Sequence, residues 1–273
     1  MSVNLRNLGR VAAVSAAAVT ALQAATAVTA IKAGRRDYAD AVWGPGLAAV
    51  ALVGATVGQG DAGRRWALAG VTTAWAARLA TLMGKRVSKS DEEDPRYAEF
   101  LEDSSTAQVV TKVFVTQGLA QLLVSAPLQL AAASSLPKGP RRWLAPAGIA
   151  IMVAGTVIEA VADRQKDAYK AAKQEAKKSD KPDSDVPQIL DTGLWGWSRH
   201  PNYFGDSVVW DGAYLAAAAS APGAWTFPAP AAMTWFLIHA TGAKRTEKRM
   251  ADRPGYRDYQ RRVSFFFPRP PKD

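Results

Sequence analysis

"VAAVSAAAVTALQAATAVTAI", residues 11–31, carries no charged side chain. Its length is about what an α-helix needs to cross the hydrocarbon core of a bilayer. A basic start and small residues near its end also fit a signal peptide. Further apolar runs decide for a first transmembrane helix: they follow at roughly 41–59, 66–83, 107–132, 143–162, 206–221 and 224–243. Several are rich in Ala and Gly, which let helix backbones approach closely where lipid removes the hydrophobic drive between helices. "SAPGAW", residues 220–225, joins the last two as a Pro-Gly turn. No strand alternation and no internal repeat interrupts the pattern. The expected architecture is therefore all-α: a polytopic membrane helix bundle of about seven transmembrane helices, forming a single domain over 1–273.

The charges agree with that expectation. The net charge is +10, with 48% hydrophobic residues, yet the mean hydropathy is only -0.10. The average hides clusters of charge lying between nearly uncharged stretches. In a soluble chain such a basic balance would suggest nucleic acid; flanking apolar runs, it fits a membrane protein and no nucleic-acid partner is expected. With seven spans, the segments 32–40, 84–106, 163–205 and 244–273 share one side and hold 25 Lys and Arg, against 7 on the other. That asymmetry predicts an N-terminus outside and a C-terminus in the cytoplasm. The chain has no cysteine and only His200 and His239, so disulfides, thiolate chemistry and multi-histidine metal sites are not expected.

Polar chemistry concentrates in three places. In "GLWGWSRHPNYFGD", residues 193–206, Pro201 suits the first turn of the sixth helix, whose free N–H groups form a natural anion seat. Arg199 adds a planar donor fork, and Asn202 and Asp206 share a face at i, i+4. In "IMVAGTVIEAVADRQK", residues 151–166, Glu159 and Asp163 share a face at the end of the fifth span, with Lys166 and Lys170 continuing the pattern. A carboxylate inside an apolar run is expensive and marks function. The helix is expected to run on and dissolve into a charged linker over 171–187. "EKRMADRPGYRDYQRRVSFFFPRPPK", residues 247–272, is either a basic segment held against anionic lipid or a cap over a cofactor. Arg78 either snorkels or faces the bundle interior, Lys112 lies near a helix end, and His239 reads as a satisfied core histidine.

These motifs, with "ADAVWGPG" (39–46), "AWAARL" (74–79), "EEDPRYAEF" (92–100), "VFVTQGLAQLLVSAPL" (113–128) and "EAVADRQKDAYK" (159–170), resemble bacterial membrane proteins related to steroid 5-alpha-reductases. The resemblance covers about 37–271 and leaves 1–36 as a poorly matched first helix. It implies a bacterial inner-membrane bundle whose cytoplasmic loops, 163–205 and 244–273, wrap NADPH. Carried over by position, Glu159, Asp163 and Lys170 line the cofactor from the fifth helix, and Asn202 and Asp206 from the sixth. Arg199, His200 and Tyr203 lie alongside, and Glu247, Tyr256 and Tyr259 come from the tail. The reductases polarise an enone with a Gln-Glu pair in the second helix and a Tyr in the third. Here Asp40 and Trp43 stand in the second segment and Trp75 falls about where that Tyr would be. Asp40 and Tyr97 are accordingly the candidate proton donors. The implied substrate is lipophilic, carries a C=C bond and enters from the bilayer among membrane lipids. Isoprenylcysteine carboxyl methyltransferases share Arg-His-Pro-x-Tyr and a Glu- and Tyr-rich tail, and imply S-adenosylmethionine instead. A non-enzymatic lipid-binding protein is the third expectation.

Overall fold

A computed structural model describes residues 3–88, 92–178, 186–240 and 242–272. Along the chain run α1 (Leu5–Ala33), α2 (Tyr38–Ala41), α3 (Trp43–Val57), α4 (Ala62–Ser88), α5 (Pro95–Phe100), α6 (Thr106–Val109), α7 (Thr116–Val124) and α8 (Ala126–Ala132). They are followed by α9 (Leu144–Lys178), α10 (Pro201–Ala218), α11 (Pro228–Trp235), α12 (Ala243–Met250) and α13 (Tyr256–Arg262). Among the described residues there is no strand, only an isolated bridge between Val3 and Ser134. Each of the seven apolar runs falls on helix. Four helical stretches are long and apolar enough to cross a membrane: Leu5–Ala33, Tyr38–Val57, Thr106–Val124 and Pro140–Lys178.

Local chemistry explains the boundaries. The Asn4 side chain accepts the Asn7 N–H at 2.9 Å and starts α1 ahead of the apolar run; Gly34, at φ 64°, ends it. Asp94 caps α5, whose first residue is Pro95. Ser105 and Gln108 form a capping box on α6. The expected single span 107–132 is interrupted by a π-helical turn over Val110–Val115 and by a break at Ser125, before Pro127. Proline lacks the N–H that would continue the ladder. "SAPGAW" does form a tight connection, a 3-10 turn over Ala221–Thr226. The fifth expected span runs on as helix to Lys178, well into the stretch expected to be linker; residues 179–185 of that stretch lie outside the described residues.

The chain folds as two compact units built from interleaved segments. The first comprises Met1–Ala150 and Gly212–Ala229. Its α1 buries Asn7, Val11, Ser15, Val19, Gln23 and Ala27, one residue per turn along a single stripe. Between α2 and α3 the helix breaks at Val42. The Gln121 amide, fully buried, donates to the carbonyls of Val42 and Trp43, both at 2.9 Å, and accepts from Gln23 at 2.9 Å. Gly46 makes this possible: a Cβ there would sit 2.1 Å from Gln121 Nε2. Arg64 lies in the first turn of α4, ahead of the apolar run expected from 66, and is 2% exposed. Its guanidinium donates to the carbonyls of Ala131 (2.8 Å), within the last turn of α8, and Ser134 (2.6 Å), just after it, and to Ser220 Oγ (2.9 Å). Carbonyls at helix C-termini have no helical partner and favour a cation.

The second unit comprises Ile151–Asp211 and Pro230–Asp273. Here α9 and α10 meet backbone to backbone: a Cβ on Gly205 would lie 2.8 Å from both the Gly155 carbonyl and the Glu159 nitrogen. A small core of Ile189, Tyr256, Tyr259 and Val263 anchors the tail.

Candidate functional site

In the second unit, the Gly155–Gly205 crossing determines what comes together. Glu159 lies one turn beyond Gly155 on α9, and Asp206 adjoins Gly205 on α10; they are 4% and 5% exposed. One turn further, the Asn202 amide donates to Asp163 Oδ1 at 3.3 Å. Glu159, Asp163, Asn202 and Asp206 thus sit along one helix–helix seam. Lys166 follows on α9 with its ammonium 5.5 Å from the centre of the Trp195 ring, and exposed Lys170 lies one turn beyond. Trp195 is fixed by donating to the Ala162 carbonyl at 3.0 Å, and its own carbonyl accepts from Tyr259 at 2.7 Å.

The tail and the Arg199–His200 segment are joined through Glu247. Its carboxylate accepts from Arg199 Nε (2.9 Å) and Nη2 (3.1 Å), from Tyr256 Oη (2.8 Å) and from Gln260 Nε2 (2.6 Å). His200 Nε2 lies 3.1 Å from the same carboxylate. Burial pulls the Glu247 carboxyl upward, but donors from His200, Arg199, Gln260 and Tyr256 outweigh it and hold its pKa well below the usual carboxylate range. Burial lowers the His200 pKa; Glu247 opposes this only in part, and Arg199 and Lys166 add to it. His200 is therefore neutral, and its contact with Glu247 is an N–H donated to a carboxylate rather than an ion pair. The Tyr256 and Tyr259 hydroxyls are pushed upward, chiefly by burial, and keep their protons.

Backbone pairing completes the clamp. Arg199 N–H donates to the Ser264 carbonyl at 2.9 Å, Ser198 Oγ to the Phe266 carbonyl at 2.7 Å, and Arg269 N–H to the Trp197 carbonyl at 3.0 Å. His200 stacks on Tyr203 at 5.8 Å and meets Phe265 edge-on at 5.3 Å. Tyr203 in turn covers Gly242, where a Cβ would lie 2.4 Å from its ring. The fork of Arg199, offered in the sequence reading to an anion, is engaged by Glu247.

Asp40 and Tyr97 belong to the first unit, where they do meet. Tyr97 Oη donates to Asp40 Oδ1 at 2.6 Å, and Arg96 Nη2 reaches Asp40 Oδ2 at 2.7 Å. Burial, then the Asp40 charge, raises the Tyr97 pKa, so the phenol keeps its proton at neutral pH. Arg96 also pairs with Asp94, which pairs with Arg86, and Arg36 pairs with Glu93. Lys112 donates to Ser104 at 3.1 Å near a helix end. Arg78 lies in α4. His239 departs from the core reading: it is exposed, on a π-helical turn, and stacks on exposed Trp235 at 5.5 Å. No group of metal-ligating side chains occurs among the described residues. The role of Glu247 as counter-ion to Arg199, and the Gln23–Gln121 pair, had no local sequence signal.

These features define a helical protein with four helical stretches long and apolar enough to cross a membrane and a polar seam midway along a long helix. The chain belongs to the DUF1295 family, described as "Protein of unknown function", whose model matches residues 27–263. It is 34% identical over 79 residues to an uncharacterized protein of Schizosaccharomyces pombe, a match covering 29% of this chain and 23% of that relative. The matched stretch is thus under a quarter of the relative's length. No solved structure gives a significant match.

Proposed function

We propose that the protein is a membrane-embedded, NADPH-dependent reductase acting on a C=C bond of a lipophilic substrate. The observation that carries this reading is the seam of Glu159, Asp163, Asn202 and Asp206, with Glu159 and Asp206 buried and Asp163 and Asn202 half-buried, formed where α9 and α10 approach at Gly155 and Gly205. Carboxylates there suit ribose hydroxyls, and Lys166 and Lys170, continuing up the same helix, suit phosphates. Arg199 then acts by holding the tail through Glu247, with Tyr256, Tyr259, His200 and Tyr203 completing the wall. NADPH, when bound, supplies a hydride; the chain supplies the seat and the proton. Tyr97, protonated and bonded to Asp40 within the first unit, is the candidate proton donor carried over from the sequence. The reading goes with a seven-span topology in a bacterial inner membrane, N-terminus outside and tail cytoplasmic, and with kinship to the steroid 5-alpha-reductases.

The engagement of Arg199 by Glu247 favours one second reading, an S-adenosylmethionine-dependent methyltransferase, because that cofactor has no phosphate to bind. Equilibrium binding of NADPH to the purified protein, with S-adenosylmethionine as competitor, separates the two. Micromolar NADPH binding that S-adenosylmethionine does not displace is the expected result. Binding of S-adenosylmethionine alone overturns the reductase, and binding of neither overturns both.

A further inference from the structure

The tail holds a second feature that the cofactor reading does not use. Both of its helices are two-faced. On α12, Ala243 and Glu247 turn inward while Lys244, Arg245, Lys248 and Arg249 are exposed. On α13, Tyr256 and Tyr259 are buried while Arg257 and Arg261 are exposed. All ten lysines and arginines between 244 and 272 are exposed, against Asp252 and Asp258 as the only exposed acids of that stretch. Glu247 would have offset part of this charge, but it is spent internally on Arg199.

Neighbouring residues of the same unit say where the charged face lies. Val153, Val157 and Val161 of α9 are 46%, 55% and 40% exposed, in one of the helices apolar enough to cross a membrane. That apolar surface stops at Asp163, where the Trp195 loop packs on Ala162. Trp197 in that loop is half-exposed, and the tail segment bonded to it carries exposed Phe267. Exposed aromatics at the edge of an apolar span, with cations beyond them, are the pattern of a headgroup layer.

We propose that the outward face of α12 and α13 is an electrostatic docking surface for the anionic headgroups of the surrounding bilayer. Its apolar face is already consumed by the protein, so attachment rests on charge rather than on helix insertion, and added salt weakens it.

Because the chain has no cysteine, Asp252→Cys gives a single labelling position on this surface. The labelled full-length protein is placed in nanodiscs of phosphatidylcholine, with and without phosphatidylglycerol, and quenched with neutral acrylamide. Phosphatidylglycerol is expected to lower quenching about threefold, and high salt to restore it. Joint replacement of Lys244, Arg245, Lys248 and Arg249 by Gln should abolish the protection with the melting temperature unchanged. If that variant does not fold, Arg257→Gln with Arg261→Gln should remove part of it. Equal quenching in both bilayers, protection that survives the replacements, or stronger protection by an RNA oligonucleotide than by phosphatidylglycerol overturns the proposal.

Discussion

Arg199 and Glu247, 48 residues apart in the chain, face each other with Nε–Oε1 at 2.9 Å and Nη2–Oε2 at 3.1 Å. Both side chains are nearly buried, at 10% and 14% exposure. The pair ties the Arg-His-Pro-Asn-Tyr segment to the tail, and most of what the second unit does depends on it.

Removing the acid strands the cation. Glu247→Ala leaves the Arg199 fork without its carboxylate and frees Tyr256 and Gln260 as well. A loss of roughly 2–4 kcal/mol is expected, seen as a lower melting temperature. Glu247→Ala combined with Arg199→Met should be milder than Glu247→Ala alone, because no unpaired charge remains.

The same pair predicts acid sensitivity. An unfolded chain protonates His200 below its ordinary value of 6.5, whereas the folded site resists protonation until lower pH. Stability is therefore flat above that pH and falls as the pH drops toward the folded value. Glu247 adds to the loss further down: its contribution is present above its ordinary 4.5 and disappears as the pH falls through the lower folded value. Melting curves from neutral to acid pH should show the first decline near 6.5, and His200→Gln should remove that first decline while leaving the second.

Gly205 tests the seam. A methyl at this position would meet the Gly155 carbonyl at 2.8 Å, so Gly205→Ala must push α9 and α10 apart. The expected cost is about 1–3 kcal/mol, together with weaker cofactor binding. Gly70→Ala, in the open face of α4 where nothing lies within 4 Å, should raise or preserve stability and serves as the control.

Gln121 holds the break between α2 and α3. Gln121→Leu leaves the Val42 and Trp43 carbonyls without its donor and crowds Gly46; a loss of roughly 1–3 kcal/mol is expected by thermal or denaturant unfolding.

The helices were legible because lipid solvent imposes long apolar runs, and each of the seven runs falls on helix. The interruption of 107–132 was missed, because the stretch read as a single span and the π-helical turn at Val110–Val115 has no residue that announces it. Glu159, Asp163, Asn202 and Asp206 were legible from i, i+4 spacing, which places side chains on a face. Spacing says nothing about partners on other helices. For that reason Arg199 read as a free fork, and the partners of Arg64 and Gln121 stayed out of view. Their partners lie far along the chain, 48 positions for Arg199–Glu247, 79 for Gln121–Val42 and 156 for Arg64–Ser220, distances at which a single sequence carries no signal.

The account rests on the seam of α9 and α10 seating a phosphate-bearing dinucleotide, and titration of NADPH into the nanodisc-embedded protein tests it most directly. Wild type should bind, Lys166→Gln with Lys170→Gln should weaken binding about tenfold or more, and Asp206→Asn should weaken it with the melting temperature preserved. Undiminished affinity in all of these variants, or no binding by the wild type, contradicts the account.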